Sequence, residues 1–213
     1  MSRKMTETTV SEINETRASL YWWFATLLTK ELDKEQLAMY FCGEGVTLLD
    51  QLEQEPDFTA SVQKIKSALT TILAMNKPEL ELAADFSQIF LTDTKAGAPP
   101  YASVYLSKSG QLFEQPHQDM IDLFKAQGLT VDPEFNEPAD HIAVQLDYLG
   151  NLIIQDVNGV SEAQINFIEV HILSWLEQFV KAADKVNNSG FYQGVCQLLQ
   201  AYIKQDIVAI MPD

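Results

Sequence analysis

The sequence predicts an all-α protein, and three observations carry that expectation. Apolar residues recur at three- and four-residue steps along most of the chain, which is the spacing of one helix face. Proline and glycine fall at the ends of these runs, where helices start and stop. No run alternates apolar and polar residues over a strand's length, and no segment repeats. About eight or nine helices in a globular packing are expected.

The first helix is expected from Val10 to Thr29, with Ile13, Leu20, Tyr21, Phe24, Leu27 and Leu28 on its stripe. Tyr21-Trp22-Trp23-Phe24 spreads aromatics around most of that helix, so it is central or presses on a second surface. Asp33 caps a short helix that ends near Cys42-Gly43, and another runs from Glu44 to about Gln54. Pro56-Asp57 opens a helix carrying Phe58, Val62, Ile65, Leu69 and Ile72. Lys77-Pro78 opens the next, with Leu82, Phe86, Ile89 and Phe90 on one stripe.

The pattern changes from Thr92 to Asn136. Five of the eight prolines lie between Pro99 and Pro138, and Gly97, Gly110 and Gly128 accompany them. So long an irregular run is uncommon inside a compact domain unless it is functional. Pro116 to Ala126 is expected to form one helix within it. Helices resume from Glu137 to about Asp156, Ser161 to Val186 and Gly190 to Ile210. Ser161-Glu162-Ala163-Gln164 matches a capping box, with Gln164 reaching back to the cap. Residues 1–127 are read as an N-terminal helical half, 128–136 as a hinge and 137–213 as a C-terminal half, together one domain. Such a hinge allows two copies to exchange halves, so a monomer and a domain-swapped homodimer are both compatible with the sequence.

The formal net charge is −16 and the pI about 4.4. A nucleic-acid partner is excluded, because phosphates demand a basic face, and so is an electrostatic anchor on anionic lipid. The charge favours a cationic partner through long-range steering, although solubility alone accounts for it equally well. Met1-Ser2-Arg3-Lys4 is followed by polar residues rather than an apolar h-region, and no 18-residue apolar stretch exists. Cys42 and Cys196 form no CxxC pair, which suits thiols in a reducing compartment. A cytoplasmic protein without membrane insertion is expected.

Glu137-Pro138-Ala139-Asp140-His141 concentrates the polar chemistry. With Glu137 as N-cap, Pro138 occupies the first turn and Asp140 falls at N3, beside the positive end of the helix dipole. His141 comes next, and Ile142, Leu146, Leu149 and Ile153 mark the buried face. Helix capping accounts for these residues; so does a polar site aimed at a ligand or partner chain. Asp140 and His141 as an acid–base pair would make an enzyme, but helix neighbours point about 100° apart and are poorly placed to bond each other. His117, His141 and His171 match no metal-ligand spacing, and the sequence has no G-x-S-x-G elbow and no Walker-type phosphate loop. No metal, catalytic residue or cofactor is expected.

The loop Ala98-Pro99-Pro100-Tyr101-Ala102-Ser103-Val104-Tyr105 places tyrosines at i and i+4 after a double proline. That makes either a rigid amphipathic ledge for a peptide or a loop pinned to the core by its rings. Phe86-Ser87-Gln88-Ile89-Phe90 supplies an apolar helix face leading into it.

Together these residues resemble the TorD/DmsD family of redox-enzyme maturation chaperones. Glu137 to His141 is similar to the family's E-P-x-D-H motif, and Phe86-x-x-Ile89-Phe90 to its aromatic-x-x-Leu-Phe helix. Pro100-Tyr101 with Tyr105 resembles its proline-aromatic loop, with tyrosine where some relatives carry tryptophan. The resemblance spans nearly the whole chain. Within the family it is closest to the branch dedicated to trimethylamine N-oxide reductase. It implies a non-enzymatic cytoplasmic chaperone that binds the twin-arginine signal peptide and body of an apo-molybdoenzyme. Such a protein assists molybdenum cofactor insertion and then releases the client for export. Other clients of the dimethyl sulfoxide reductase family, or a generic helical adaptor, remain alternatives.

On this reading Glu137 and Asp140 receive basic groups and His141 donates a hydrogen bond to a peptide carbonyl. Phe86, Ile89, Phe90, Pro100, Tyr101 and Tyr105 line or support the apolar part. The molybdenum-cofactor delivery machinery is an implied partner. The family's association with guanine-nucleotide binding finds no phosphate loop here.

Overall fold

The structure, a computed structural model, describes residues 2–129, 137–156 and 159–211. In chain order these form α1 (Ser2–Thr29), α2 (Lys34–Cys42), α3 (Glu44–Leu52), α4 (Pro56–Leu73), α5 (Pro78–Phe90) and α6 (Ala102–Leu106). After them come α7 (Gln115–Ala126), α8 (Ile142–Gln155), α9 (Glu162–Phe167), a π-helical stretch (Ile168–Leu173), α10 (Ser174–Ala183) and α11 (Phe191–Ile210). The protein is all-α; among the described residues the one β pairing is an isolated bridge between Tyr101 and His141. The elements outnumber the eight or nine expected for two local reasons. The tyrosine ledge is itself a short helix, and the long helix after Ser161 is interrupted by the π turn.

The chain forms two compact units that interleave in sequence. The first comprises Met1–Leu28, Pro100–Leu176 and Ala209–Asp213; the second comprises Thr29–Pro99 and Glu177–Val208. Neither is one of the two sequential halves expected. Most of the expected hinge, residues 130–136, lies outside the described residues.

In the first unit, α1 lies against α8. A Cβ on Gly150 would sit 2.5 Å from Nε1 of Trp22, so only glycine permits that approach. Asn14 donates to the carbonyls of Ile153 and Asp156 at 3.2 and 2.9 Å, closing the C-terminus of α8. Ser161 caps α9 as expected, but Gln164 does not reach back to it. Its amide donates to Asp156 Oδ2 at 2.8 Å, while its carbonyl accepts from buried Arg17 at 3.1 Å. A buried arginine needs an acceptor, and that demand outweighs the local box. At the π turn, Trp175 Nε1 donates to the His171 carbonyl at 2.8 Å and to Gln145 Oε1 at 3.3 Å.

The second unit is built on α4, α5 and α11. A Cβ on Gly194 would meet Ile65 Cγ1 at 2.7 Å, marking the close approach of α11 to α4. Asp33 and Gln36 form a reciprocal capping box at the start of α2. The Gln193 amide donates to the carbonyls of Ala183 and Val186 at the end of α10. Phe86, Phe90, Phe179 and Tyr192 pack as one aromatic cluster, with ring centroids between 5.0 and 6.0 Å.

Candidate functional site

The polar site lies in the first unit, where α6 and α8 start from the same pairing. The Ile142 amide donates to the Pro100 carbonyl at 2.8 Å, and the Ala102 amide to the Asp140 carbonyl at 3.1 Å. Tyr101 and His141 are thereby held opposite each other, each as the N-cap of its helix.

Helix α8 starts at Ile142, so Glu137 is not its N-cap and Asp140 is not at N3. Residues 137–141 instead form a turn closed by the His141 amide on the Pro138 carbonyl at 3.0 Å. His141 caps α8 itself: its Nδ1 accepts the Ala143 amide at 3.0 Å. The Asp140 carboxylate does serve a helix N-terminus, but that of α6, where Oδ2 accepts the Ser103 amide at 2.6 Å. The sequence shows that a carboxylate sits beside a helix start; which helix it serves is decided by a partner 37 residues away.

The cluster is buried apart from its first residue. Asp140 is 0% exposed and His141 4%, whereas Glu137 is exposed. Oδ1 of Asp140 is buried without a hydrogen-bond partner, so Asp140 and His141 do not form the hydrogen-bonded pair an acid–base dyad needs. Burial lowers the His141 pKa to about 4. The imidazole is therefore neutral at pH 7, with Nδ1 accepting and its proton on Nε2. Glu137 accepts the Tyr101 hydroxyl. Burial chiefly, and Glu137 after it, raise the Tyr101 pKa. The Tyr101 ring meets the His141 ring edge-on at 5.0 Å.

The other expected site residues divide between the units. Pro100 is buried in the first, and Tyr105 stacks on Trp175 there at 5.4 Å. Phe86, Ile89 and Phe90 are 3, 0 and 2% exposed within the second unit. They contribute to its core rather than to an open apolar face.

Two residues that sequence reasoning passed over, Ser103 and His117, support the cluster, and Phe113 lies beside them. Ser103 gives its amide to Asp140, and its hydroxyl accepts the Glu114 amide at 3.3 Å. His117 Nδ1 accepts the Ala139 amide at 2.9 Å, tying α7 to the turn. Phe113 rests edge-on against His117 at 5.1 Å and is 63% exposed. Only the positions of Ser103 and His117 inside the irregular proline-rich stretch marked them out.

The acid and the imidazole of this cluster are each committed to a backbone amide, so they hold the turn and the two helix starts in place. The class of protein comes from comparison with known chains. Residues 53–181 match the family model described as nitrate reductase delta subunit. A chaperone protein TorD from Aliivibrio fischeri is 41% identical over 93% of this chain and 96% of its own length. The TorD chaperones of Aliivibrio salmonicida and Photobacterium profundum are 40 and 39% identical, each over 93% of this chain and 96 and 95% of their own lengths. The chain belongs to the TorD family of redox-enzyme maturation chaperones. Its role is that of a chaperone, not an enzyme. Among the described residues no helix is long and apolar enough to cross a membrane, and no group of three or more acid, histidine or cysteine side chains could hold a metal.

Proposed function

We propose that this chain is the cytoplasmic chaperone of one apo-molybdoenzyme, trimethylamine N-oxide reductase. It binds the enzyme's twin-arginine signal peptide and body until the molybdenum cofactor is inserted, with the cofactor delivery machinery as a further partner. The observation that supports this reading is 39 to 41% identity with chaperones named TorD along nearly the whole chain. The charge of −16 agrees with it, because a signal peptide opens with basic residues. No cofactor or nucleotide of its own is required, and it works as a monomer or as a dimer that exchanges halves.

Within the site the roles divide by exposure. Glu137, exposed and next to Tyr101, receives a basic side chain. Asp140 and His141 act as positioning residues that hold the turn carrying it. Pro100, Tyr101 and Tyr105 fix the facing loop, whereas Phe86, Ile89 and Phe90 stabilise the core of the second unit.

Isothermal titration with a synthetic signal peptide of trimethylamine N-oxide reductase should show saturable binding that weakens as salt is raised. Replacing its two arginines by glutamine should abolish most of that binding. Equal binding of the two peptides would sink the signal-peptide reading. Tighter binding of the signal peptide of another dimethyl sulfoxide reductase-family enzyme would reassign the client.

A further inference from the structure

We infer that Phe113 is the seat for the apolar segment of a basic-then-apolar peptide, a role that rests on the proposed signal-peptide function. Phe113 is the only non-glycine among the described residues with a positive φ, at 61°. A bulky side chain is disfavoured in that conformation, and an aromatic ring is disfavoured in water. Phe113 bears both penalties at 63% exposure, with neighbouring Leu112 41% exposed. The ring therefore does not serve the core.

The loop holding it is fixed from both sides. The Glu114 amide donates to Ser103 Oγ at 3.3 Å, the Ser109 hydroxyl to Glu114 Oε1 at 2.7 Å, and the Gln111 amide to Ser109 Oγ at 3.2 Å. A ring presented on a fixed loop loses little entropy when it is covered.

Charge selects the occupant. Phe113 is followed by Glu114, and its ring rests on His117, whose Nδ1 holds the Ala139 amide two residues from exposed Glu137. An apolar ring with a carboxylate at the next residue, Glu114, suits an apolar segment preceded by basic side chains. It repels a second copy of this chain, which carries a net charge of −16.

The test measures fluorescence anisotropy with two labelled peptides. One is the trimethylamine N-oxide reductase signal peptide; the other keeps its arginines but has serine and glycine in place of the apolar segment. Phe113→Asn removes the ring while suiting the left-handed backbone, so its Tm should equal or exceed that of the parent protein. It should bind the native peptide about tenfold more weakly and the polar peptide with unchanged affinity. Phe113→Trp should retain the native affinity within about twofold. Unchanged affinity of Phe113→Asn for the native peptide would overturn this role and leave the chaperone function standing. Equal weakening toward both peptides would also overturn it, since the ring would then act through loop shape. If the parent protein binds neither peptide, the functional reading fails first and this role with it.

Discussion

The polar turn of the first unit and the aromatic cluster of the second are held together by opposite means. In the turn, side chains are bonded to backbone amides: Asp140 to that of Ser103, His141 to that of Ala143, His117 to that of Ala139. In the cluster, Phe86, Phe90, Phe179 and Tyr192 fill space with rings stacked and edge-on. The family-like motifs fall on both, yet they need not share a task. Directional contacts fix where a backbone points, which a binding surface requires; ring packing mainly supplies stability.

The sharpest way to break that distinction is Phe90→Ala. The ring is 2% exposed and touches three other rings. Truncating such a phenylalanine costs about 3–5 kcal/mol, read as a fall in the urea midpoint. Signal-peptide affinity, measured where the variant is still folded, should not change. A selective affinity loss would return the aromatic helix to the binding site.

The next largest effect belongs to His141 and is set by pH. Its folded pKa, about 4, lies below the ordinary 6.5 because burial disfavours the cation. Between those values the unfolded chain binds the proton more readily, so stability rises with pH. It is fully present above about 6.5 and is lost as pH falls toward 4, by about 3 kcal/mol in all. Urea titrations at stepped pH should show that slope, and His141→Asn, which keeps an N-cap acceptor without titrating there, should reduce it, with half-buried His171 keeping a smaller part because burial lowers its pKa too. Equal pH slopes for the parent protein and His141→Asn would contradict the burial of the imidazole.

Much of the fold was legible because its signals are local. Asp33 before α2, Pro56 as the first residue of α4, Pro78 as the first residue of α5 and Ser161 before α9 each mark a start by their own chemistry. The start of α8 was misplaced because Glu137-Pro138-Ala139-Asp140 satisfies the local rules for a helix N-terminus. A long-range demand from the Ser103 amide takes Asp140 away. The same cause hid the interleaved units: which helices pack together is a matter of partners distant in sequence. In the site, residue types were readable while exposure was not, since burial of Asp140 and His141 follows from α6 and α8 starting at one pairing.

The smallest predicted effect separates acceptor from charge at Asp140. Oδ2 accepts a buried amide, while Oδ1 is buried without a partner. Asp140→Ala leaves the Ser103 amide without its acceptor, which costs about 1–3 kcal/mol. Asp140→Asn keeps an oxygen for that amide and removes the desolvated charge, so it should cost less than about 1 kcal/mol. The pair of urea midpoints decides what holds the turn. If Asn is as damaging as Ala, the negative charge at the α6 start does the holding, through the dipole of that helix. If Asn is tolerated, the hydrogen bond suffices, and the charge at Asp140 is dispensable for the turn that presents Glu137.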